Sequence, residues 1–574
     1  MQPSLVQQPA GPSGPVLSLS GPIIALGAIS FVSNLLMLTG PLFMLQVYDR
    51  VLASRSVPTL LVLTGLVCGL FAFYGFLDAL RSRMATRFAN VLDARFSERL
   101  FAAAVHFRLI ADAPKTADPL RDGDLLRQFL ASSAPLALLD LPWVPVYLAV
   151  VFLFHYWLGW LAVAGCIVIT ALMIINEAMA RQPTQQANAA QLLRQRQAEN
   201  IRVNAETVIA MGMLDDLRAR WAAQTGRMIA ALRTGSDQAA FFSAATKGLR
   251  FLLQSLVLAL GAYLVIRGEM TAGLMIAASV VTARALAPVE QIVGQWRSFV
   301  GARQAWARIR KVLAVRQAAP RDVRLPLPTQ SLSVKGLASA PQGQRMPVIS
   351  GMQFDIAAGD GLAILGPSGS GKSSLARALV GVWPSLAGDI RFDGALLAHY
   401  TTDQIGSMIG YLPQRVELFD GTVADNIARF RANASSEAII AAAKTAGVHD
   451  LISALPDGYN SQVGEQGDLL SAGQRQRIGL ARALYGNPFL IILDEPNSNL
   501  DAEGDAALTD AIHKARERGS IVIVIAHRPS AIAAVDKVLY MRAGRQMAYG
   551  PKAEILQQIT QPGTNVRPIK APGA

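Results

Sequence analysis

Five stretches of this 574-residue chain are apolar over lengths suited to crossing a lipid bilayer: residues 21–45, 58–80, 141–175, 251–266 and 270–289. A helix needs about 17 to 25 apolar residues for one crossing. The third stretch is too long for that. Its single histidine, His155, stands beside Tyr156, Trp157 and Trp160, an aromatic cluster of the kind found at membrane surfaces. Dividing the stretch there gives six expected spans. A hydrophobic content of 52%, a charged content of only 16% and a mean hydropathy of +0.33 agree with a membrane domain. The two cysteines, Cys68 and Cys166, both lie inside apolar runs, where a buried thiol acts as a small hydrophobe, so neither a disulfide nor a zinc site is expected.

The connections between spans alternate in character. Those near residues 49–57, 155–160 and 267–269 are short and carry few Lys or Arg, whereas 81–137 and 181–240 are long, Arg-rich and made of helix-forming residues. The positive-inside rule then places both long segments, the N-terminus and everything after Val300 in the cytoplasm. The same asymmetry accounts for the net charge of +13, so no nucleic-acid partner is expected. Residues 1–20 carry no charged side chain and lack the basic flank of a signal peptide, which makes the first run an expected retained span. The expected organisation is an N-terminal segment 1–20, a six-helix transmembrane domain 21–315, a linker 316–330 containing three prolines, a second domain 331–560 and a Pro/Gly-rich tail 561–574.

In the second domain, β-branched runs alternate with helical stretches, the pattern of an α/β domain with a largely parallel sheet. Near its start, the apolar run 362–365 leads into Gly366, Pro367, Ser368, Gly369, Ser370, Gly371, Lys372, Ser373 and Ser374, and a helical stretch follows. This is G-x-x-x-x-G-K-[ST] in its strand-loop-helix setting. The glycines let backbone N–H groups approach phosphates, the helix N-terminus favours negative charge, Lys372 reaches the β/γ-phosphates and the Ser373 hydroxyl can hold Mg²⁺. Downstream, residues 489–493 form an apolar strand ending in Asp494 and Glu495. Its end brings Asp494 toward Mg²⁺ and sets Glu495 to polarise a water that attacks the γ-phosphorus. A nucleoside triphosphate site follows.

The segment Leu470, Ser471, Ala472, Gly473, Gln474 opens a helix. It resembles the signature motif of the ATP-binding cassette (ABC) family, with Ala472 where the usual pattern has glycine. Other family positions are present in order: Gln414, the loop ending in Asp501, and His527 at the end of the strand 521–526. The resemblance implies an ATPase using ATP and Mg²⁺, with Glu495, His527 and Gln414 catalytic and with Ser373, Gln414 and Asp494 around the metal, partly through water. It also implies a homodimer in which Ser471, Ala472, Gly473 and Gln474 of one subunit act on the ATP of the other. The aromatic residue that the family places upstream of the phosphate loop to stack on adenine is missing from 337–343, and Arg345 is the candidate replacement.

Six spans ahead of one cassette resemble an ABC exporter, as does the segment 463–467 just before the signature. The tips of the two long loops, near 121–128 and 208–214, are then expected to meet the ATP-binding domain. Three stretches, 45–52, Asp140 to Trp143 and 204–213, resemble the inner-membrane ATPase of type I protein secretion, in its protease and lipase branch. That resemblance implies a multi-pass protein of the bacterial inner membrane, surrounded by lipid and with its cassette in the cytoplasm. It would export an unfolded protein with a C-terminal signal, together with a periplasmic adaptor (membrane fusion) protein and a TolC-type outer-membrane channel. The short, cysteine-free segment before the first span gives no expectation of a leader peptidase. A rival reading keeps the exporter but makes lipids or hydrophobic small molecules the cargo. Simpler roles also fit single residues: Asp140 could cap the following span, and Met211 and Met213 could be core. Within the last span, Arg284 would cost roughly 2.5 to 3.5 kcal/mol facing lipid, which makes it a candidate wall of a wet path.

Overall fold

The structure, a computed structural model, describes residues 20–110, 118–314, 324–464, 467–526 and 532–560. It divides into two compact units, Met1–Phe107 with Pro114–Val315, and Arg108–Ala113 with Arg316–Ala574.

The first unit is helical. Its elements are α1 (Ser20–Leu36), α2 (Thr39–Gln46), a π-helical segment Val47–Val51, α3 (Val57–Arg108), α4 (Pro119–Ala131), α5 (Ala134–Asp140), α6 (Trp143–Phe154), α7 (Tyr156–Val203), α8 (Ala205–Ala210), α9 (Leu214–Ile266), α10 (Ala272–Gly294) and α11 (Trp296–Ala314). Five helical stretches are long and apolar enough to cross a membrane, and a sixth is obtained if α5 and α6, bent by 43°, are taken as one span. The expected break at His155 is where α6 and α7 part. Its extended backbone lets the ring Nδ1 accept the Trp157 N–H and cap α7. The Arg-rich connections are helical continuations of spans, since α3, α7 and α9 each run about 50 residues without a break.

The packed centre of this unit joins α6, α7, α9 and α10 through Tyr147, Val151, Leu158, Ile169, Val257 and Leu286. A polar network crosses it. Arg81 of α3 donates to both oxygens of Asp140 at 2.9 and 3.0 Å, the Asn34 amide donates to the same carboxylate at 2.7 Å, and the Tyr147 hydroxyl donates to the Asn34 carbonyl at 2.8 Å. Asp140 therefore pairs with a buried guanidinium and does not cap the next helix, whose N-cap position is Pro142. Arg81 also meets Asp78 at 3.0 Å, and a carboxylate beside a buried cation gains more from that charge than from a helix end. Met211 and Met213 are exposed and are not core residues, and Cys68 is also exposed. Arg284 is exposed on α10, between buried Thr282 and Ala285, and makes no ion pair with the described residues, whereas Glu290 meets Arg250 at 3.0 Å.

The second unit is a ten-stranded sheet with helices. The strands are β1 (Ser331–Ser339), β2 (Ile349–Ala357), β3 (Gly361–Leu365), β4 (Ser385–Phe392), β5 (Ala395–Leu396), β6 (Ile409–Leu412), β7 (Leu490–Asp494), β8 (Ile521–Ile525), β9 (Lys537–Arg542) and β10 (Arg545–Pro551), in spatial order 5-4-1-2-10-9-3-8-7-6. The run 9-3-8-7-6 is parallel. The β5-β4-β1-β2 end and the β9-β10 hairpin are antiparallel, so the sheet is mixed and less parallel than the alternating pattern suggests. In β7, Leu490 and Ile492 enter one apolar cluster and Ile491 and Leu493 the other, which explains why a strand covered on both faces reads as an unbroken apolar run. The helices that matter for the site are α12 (Lys372–Leu379), α13 (Thr402–Met408), α14 (Ala472–Leu484) and α15 (Ala502–Glu517).

Candidate nucleotide site

The phosphate loop lies between β3 and α12, as its flanking residues require. Gly366 has φ +153, and a Cβ there would stand 2.2 Å from the Met541 carbonyl oxygen, so only glycine fits. Gly371 has φ +95 and turns the chain into the first residue of α12. Lys372 is buried, and its Nζ donates to the Gly366 and Pro367 carbonyls at 2.8 and 3.1 Å, which curls the ammonium over the loop. Burial pulls the Lys372 pKa down, and the nearby Glu495 and Asp494 carboxylates oppose that pull. The Ser370 hydroxyl is buried without a hydrogen-bond partner among the described residues. An unpaired buried hydroxyl inside a loop of inward-turned glycines is the environment that an anion would complete.

Asp494 closes β7 and Glu495 begins the turn after it. Glu495 has φ +51, a left-handed conformation uncommon for a side-chain-bearing residue, and its N–H donates to the Ile525 carbonyl at 2.8 Å. Its carboxylate accepts from the Gln414 amide at 3.0 Å. Burial pushes the Asp494 carboxyl above its ordinary value; the Ser373 hydroxyl pulls the other way and Glu495 adds to the rise. One Asp494 oxygen is buried without a hydrogen-bond partner among the described residues. Among the described residues no three His, Cys, Asp or Glu side chains cluster as a metal cage. An unpaired oxygen on a carboxylate that also bonds the Ser373 hydroxyl instead suits Mg²⁺, which binds through one or two carboxylates plus phosphate and water.

The signature segment starts α14. Ser471 is the N-cap: its hydroxyl accepts the Gln474 N–H at 3.2 Å, while the Gln474 side chain accepts the Ser471 N–H at 2.8 Å, a capping box. A Cβ on Gly473 would meet the Asn499 carbonyl oxygen at 3.1 Å, so the first turn of α14 lies against the loop after Glu495. Asp501 caps α15 by accepting the Gly504 N–H at 2.8 Å and also takes the Arg477 guanidinium at 2.5 Å. Arg345 is exposed in the connection between β1 and β2, which carries no aromatic side chain. The expected site residue His527 lies outside the described residues, as do Glu465, Gln466, most of the expected linker, the N-terminal segment up to Leu19 and the tail 561–574.

The structure thus brings Lys372, Gln414, Asp494 and Glu495 together. Sequence motifs pass over Gln476, whose side chain binds the Glu495 turn. Its only signal in the sequence is a polar residue at a position where α14 turns inward.

The comparisons agree across both units. Residues 349–498 match the ABC transporter family, and residues 23–288 match the ABC transporter transmembrane region. The type I secretion system ATP-binding protein PrsD of Rhizobium meliloti (strain 1021) is 48% identical over 557 residues, covering 96% of this chain and 95% of its own. The alpha-hemolysin translocation ATP-binding protein HlyB of Escherichia coli is 28% identical, covering 92% and 76%. The cyclolysin secretion/processing ATP-binding protein CyaB of Bordetella pertussis is also 28% identical, covering 92% and 75%. Among solved structures, a bacterial Atm1-family ABC exporter with ATP bound superposes with a TM-score of 0.82 at 22% identity, over 94% of this chain and 97% of that one, a likeness of fold. With its cassette, its several apolar helices and its near full-length match to PrsD, the chain belongs to the ABC transporters and, among them, to the ATP-hydrolysing exporters of type I secretion.

Proposed function

We propose that this protein is a homodimeric exporter of the bacterial inner membrane, with the transmembrane domain in 21–315 and a cytoplasmic ATP-binding cassette in 331–560. It would move an unfolded protein carrying a C-terminal signal to a periplasmic adaptor and an outer-membrane channel. The observation that carries the cargo class is the 48% identity to a type I secretion ATP-binding protein along almost the whole length of both chains.

In this reading the phosphate loop from Gly366 to Ser374 holds the triphosphate, with Lys372 leaving its loop carbonyls for the β/γ-phosphates. The Glu495 carboxylate takes the proton of the water that attacks the γ-phosphorus. Ser471, Gly473 and the exposed N-terminus of α14, with Ala472 and Gln474, hold the γ-phosphate of the ATP bound by the partner subunit, and Asp501 fixes the loop beside them. Ser373, Gln414 and Asp494 would hold Mg²⁺, which supplies charge neutralisation of the phosphate oxygens. ATP drives the cycle because it favours the closed pair of cassettes and its products do not.

The test is ATPase activity of the protein in lipid discs, titrated with C-terminal fragments of candidate secreted proteins and separately with lipids and hydrophobic drugs. Glu495→Gln, expected to slow hydrolysis by about 10² to 10⁴-fold with ATP binding intact, is the blank. A saturable response to one fragment and not to its scrambled version supports protein export. A response to lipids or drugs alone overturns it.

A further inference from the structure

The Glu495 turn is gripped from one side by a single side chain. Gln476 of α14 is almost completely buried, at 2% exposure, and every hydrogen-bonding position of its amide that the turn can reach is used. Its Nε2 donates to the Pro496 carbonyl at 2.6 Å and to the Glu495 carbonyl at 3.2 Å. Its Oε1 accepts from the Asn499 amide at 2.9 Å and from the Ser498 hydroxyl at 3.3 Å. Four of the five positions from 495 to 499, all but Asn497, are thereby tied to one point on a helix held by apolar packing at Ile478, Leu480 and Ala481.

Glu495 sits in a left-handed conformation that a side-chain-bearing residue does not hold unless its surroundings impose it. Among the described residues its backbone is held by the N–H to the Ile525 carbonyl, and by the carbonyl to Gln476 and to the Ser498 N–H at 3.3 Å. The first sets where the residue begins and the second sets how it turns. Rotation of that peptide would swing the carboxylate away from Gln414 and from the end of β7.

We infer that Gln476 is a positioning residue for hydrolysis: its amide holds the turn from Glu495 to Asn499 so that the Glu495 carboxylate meets the attacking water. The inference rests on the proposed role of Glu495 as the base. Gln476 is buried and spends its amide on the turn, so its loss should lower the rate of the chemical step and leave nucleotide binding as it was. Because it acts only through Glu495, its effect should vanish once Glu495 can no longer take a proton.

The experiment uses the full-length protein in lipid discs and compares Gln476→Leu, Asn499→Ala, Glu495→Gln and the Gln476→Leu/Glu495→Gln double variant. Steady-state and single-turnover hydrolysis are measured together with binding of a fluorescent ATP analogue. Expected for Gln476→Leu is a fall in kcat of about 10- to 100-fold, with ATP affinity within about twofold, and no further fall in the double variant. Asn499→Ala, at an exposed position that spares the helix core, is expected to show a smaller fall of the same kind and keeps the inference open to refutation if Gln476→Leu does not fold. An unchanged kcat, a parallel loss of nucleotide affinity, or multiplying losses in the double variant would each overturn the positioning role. Should Glu495→Gln alone hydrolyse ATP at the normal rate, the reading of Glu495 fails instead, and the two failures are told apart.

Discussion

The side-chain amide of Gln414, at the end of β6, donates to the carboxylate of Glu495, at the end of β7, over 3.0 Å across 81 residues of sequence. The two strands are parallel neighbours, so the contact is built into the sheet. A residue proposed to help hold Mg²⁺ is thus shared with the proposed base. Gln414→Ala removes one such bond, worth about 1 kcal/mol or roughly fivefold. The expected outcome is an increase of about 3- to 10-fold in the Mg²⁺ concentration needed for half-maximal ATPase, with ATP affinity at saturating Mg²⁺ little changed. A titration of activity against Mg²⁺ at fixed ATP checks it.

The raised pKa of Asp494 has a stability consequence with a definite sign. The folded protein keeps a proton on this carboxyl at pH values where the unfolded chain has lost it, because burial penalises the charge more than the Ser373 hydroxyl relieves it. Stability from this group is therefore present at low pH and is lost as pH rises through the raised pKa. Asp494→Asn is expected to raise the melting temperature of nucleotide-free protein at neutral pH, and the gain should shrink as the pH falls toward the ordinary carboxylate range. Thermal melts at several pH values decide it, and the same variant should hydrolyse ATP poorly.

In the membrane unit, Arg81 and Asp140 form a pair whose side chains are only 11% and 13% exposed. Removing one partner from such a pair typically costs about 3 to 5 kcal/mol, because the remaining charge is left buried; here the contact of Arg81 with the half-exposed Asp78 at 3.0 Å reduces that cost. Asp140→Leu should thus lower the melting temperature sharply, and Arg81→Met/Asp140→Leu should recover much of the loss. Equal melting of the single and double variants would show that the charge pair is not what holds α3 to α5.

Gly410 of β6 packs so closely on α14 that a Cβ would lie 2.0 Å from the Ala483 carbonyl oxygen, an atom that cannot move without moving the helix. Gly410→Ala should cost about 1 to 3 kcal/mol and lower ATPase activity with it, since α14 carries both the signature residues and Gln476. Gly406 of α13 has open space at its Cβ position. Gly406→Ala should stabilise by about 0.5 to 1 kcal/mol and serves as the control.

The strand-loop-helix unit around 366–374 and the strand ending in Asp494 were legible from sequence because the motif proposed to bind phosphate has fixed residue types at fixed spacing. The spans were legible because lipid demands long apolar runs. Other features depend on pairings that no local pattern records. The antiparallel end of the sheet joins residues near 332 to residues near 392, and the strands involved are interrupted by register shifts that blur their alternation. Asp140 stands next to a proline and a helix start, which suggested a cap, but its partner Arg81 is 59 residues away. Gln476 looks like any polar residue of an amphipathic helix, and only the turn folded against it reveals its use. Met211 and Met213 could be core by residue type, yet they lie exposed in a short linking segment.

The 53 residues of α9 make a rod about 80 Å long, of which a hydrocarbon core can enclose only about 30 Å. About 50 Å of it stands outside as a lever, braced along its length by α7. A tilt of roughly 10° at the membrane would sweep the free end through about 9 Å, and a displacement applied at that end would reach the membrane as a rotation reduced in amplitude and increased in force. Such an arm trades travel for torque. Its gearing depends on where along the rod the bilayer holds it, so inserting one helical turn between Leu214 and Phe241 should change the ratio of ATP spent to cargo moved and leave each chemical step as it was.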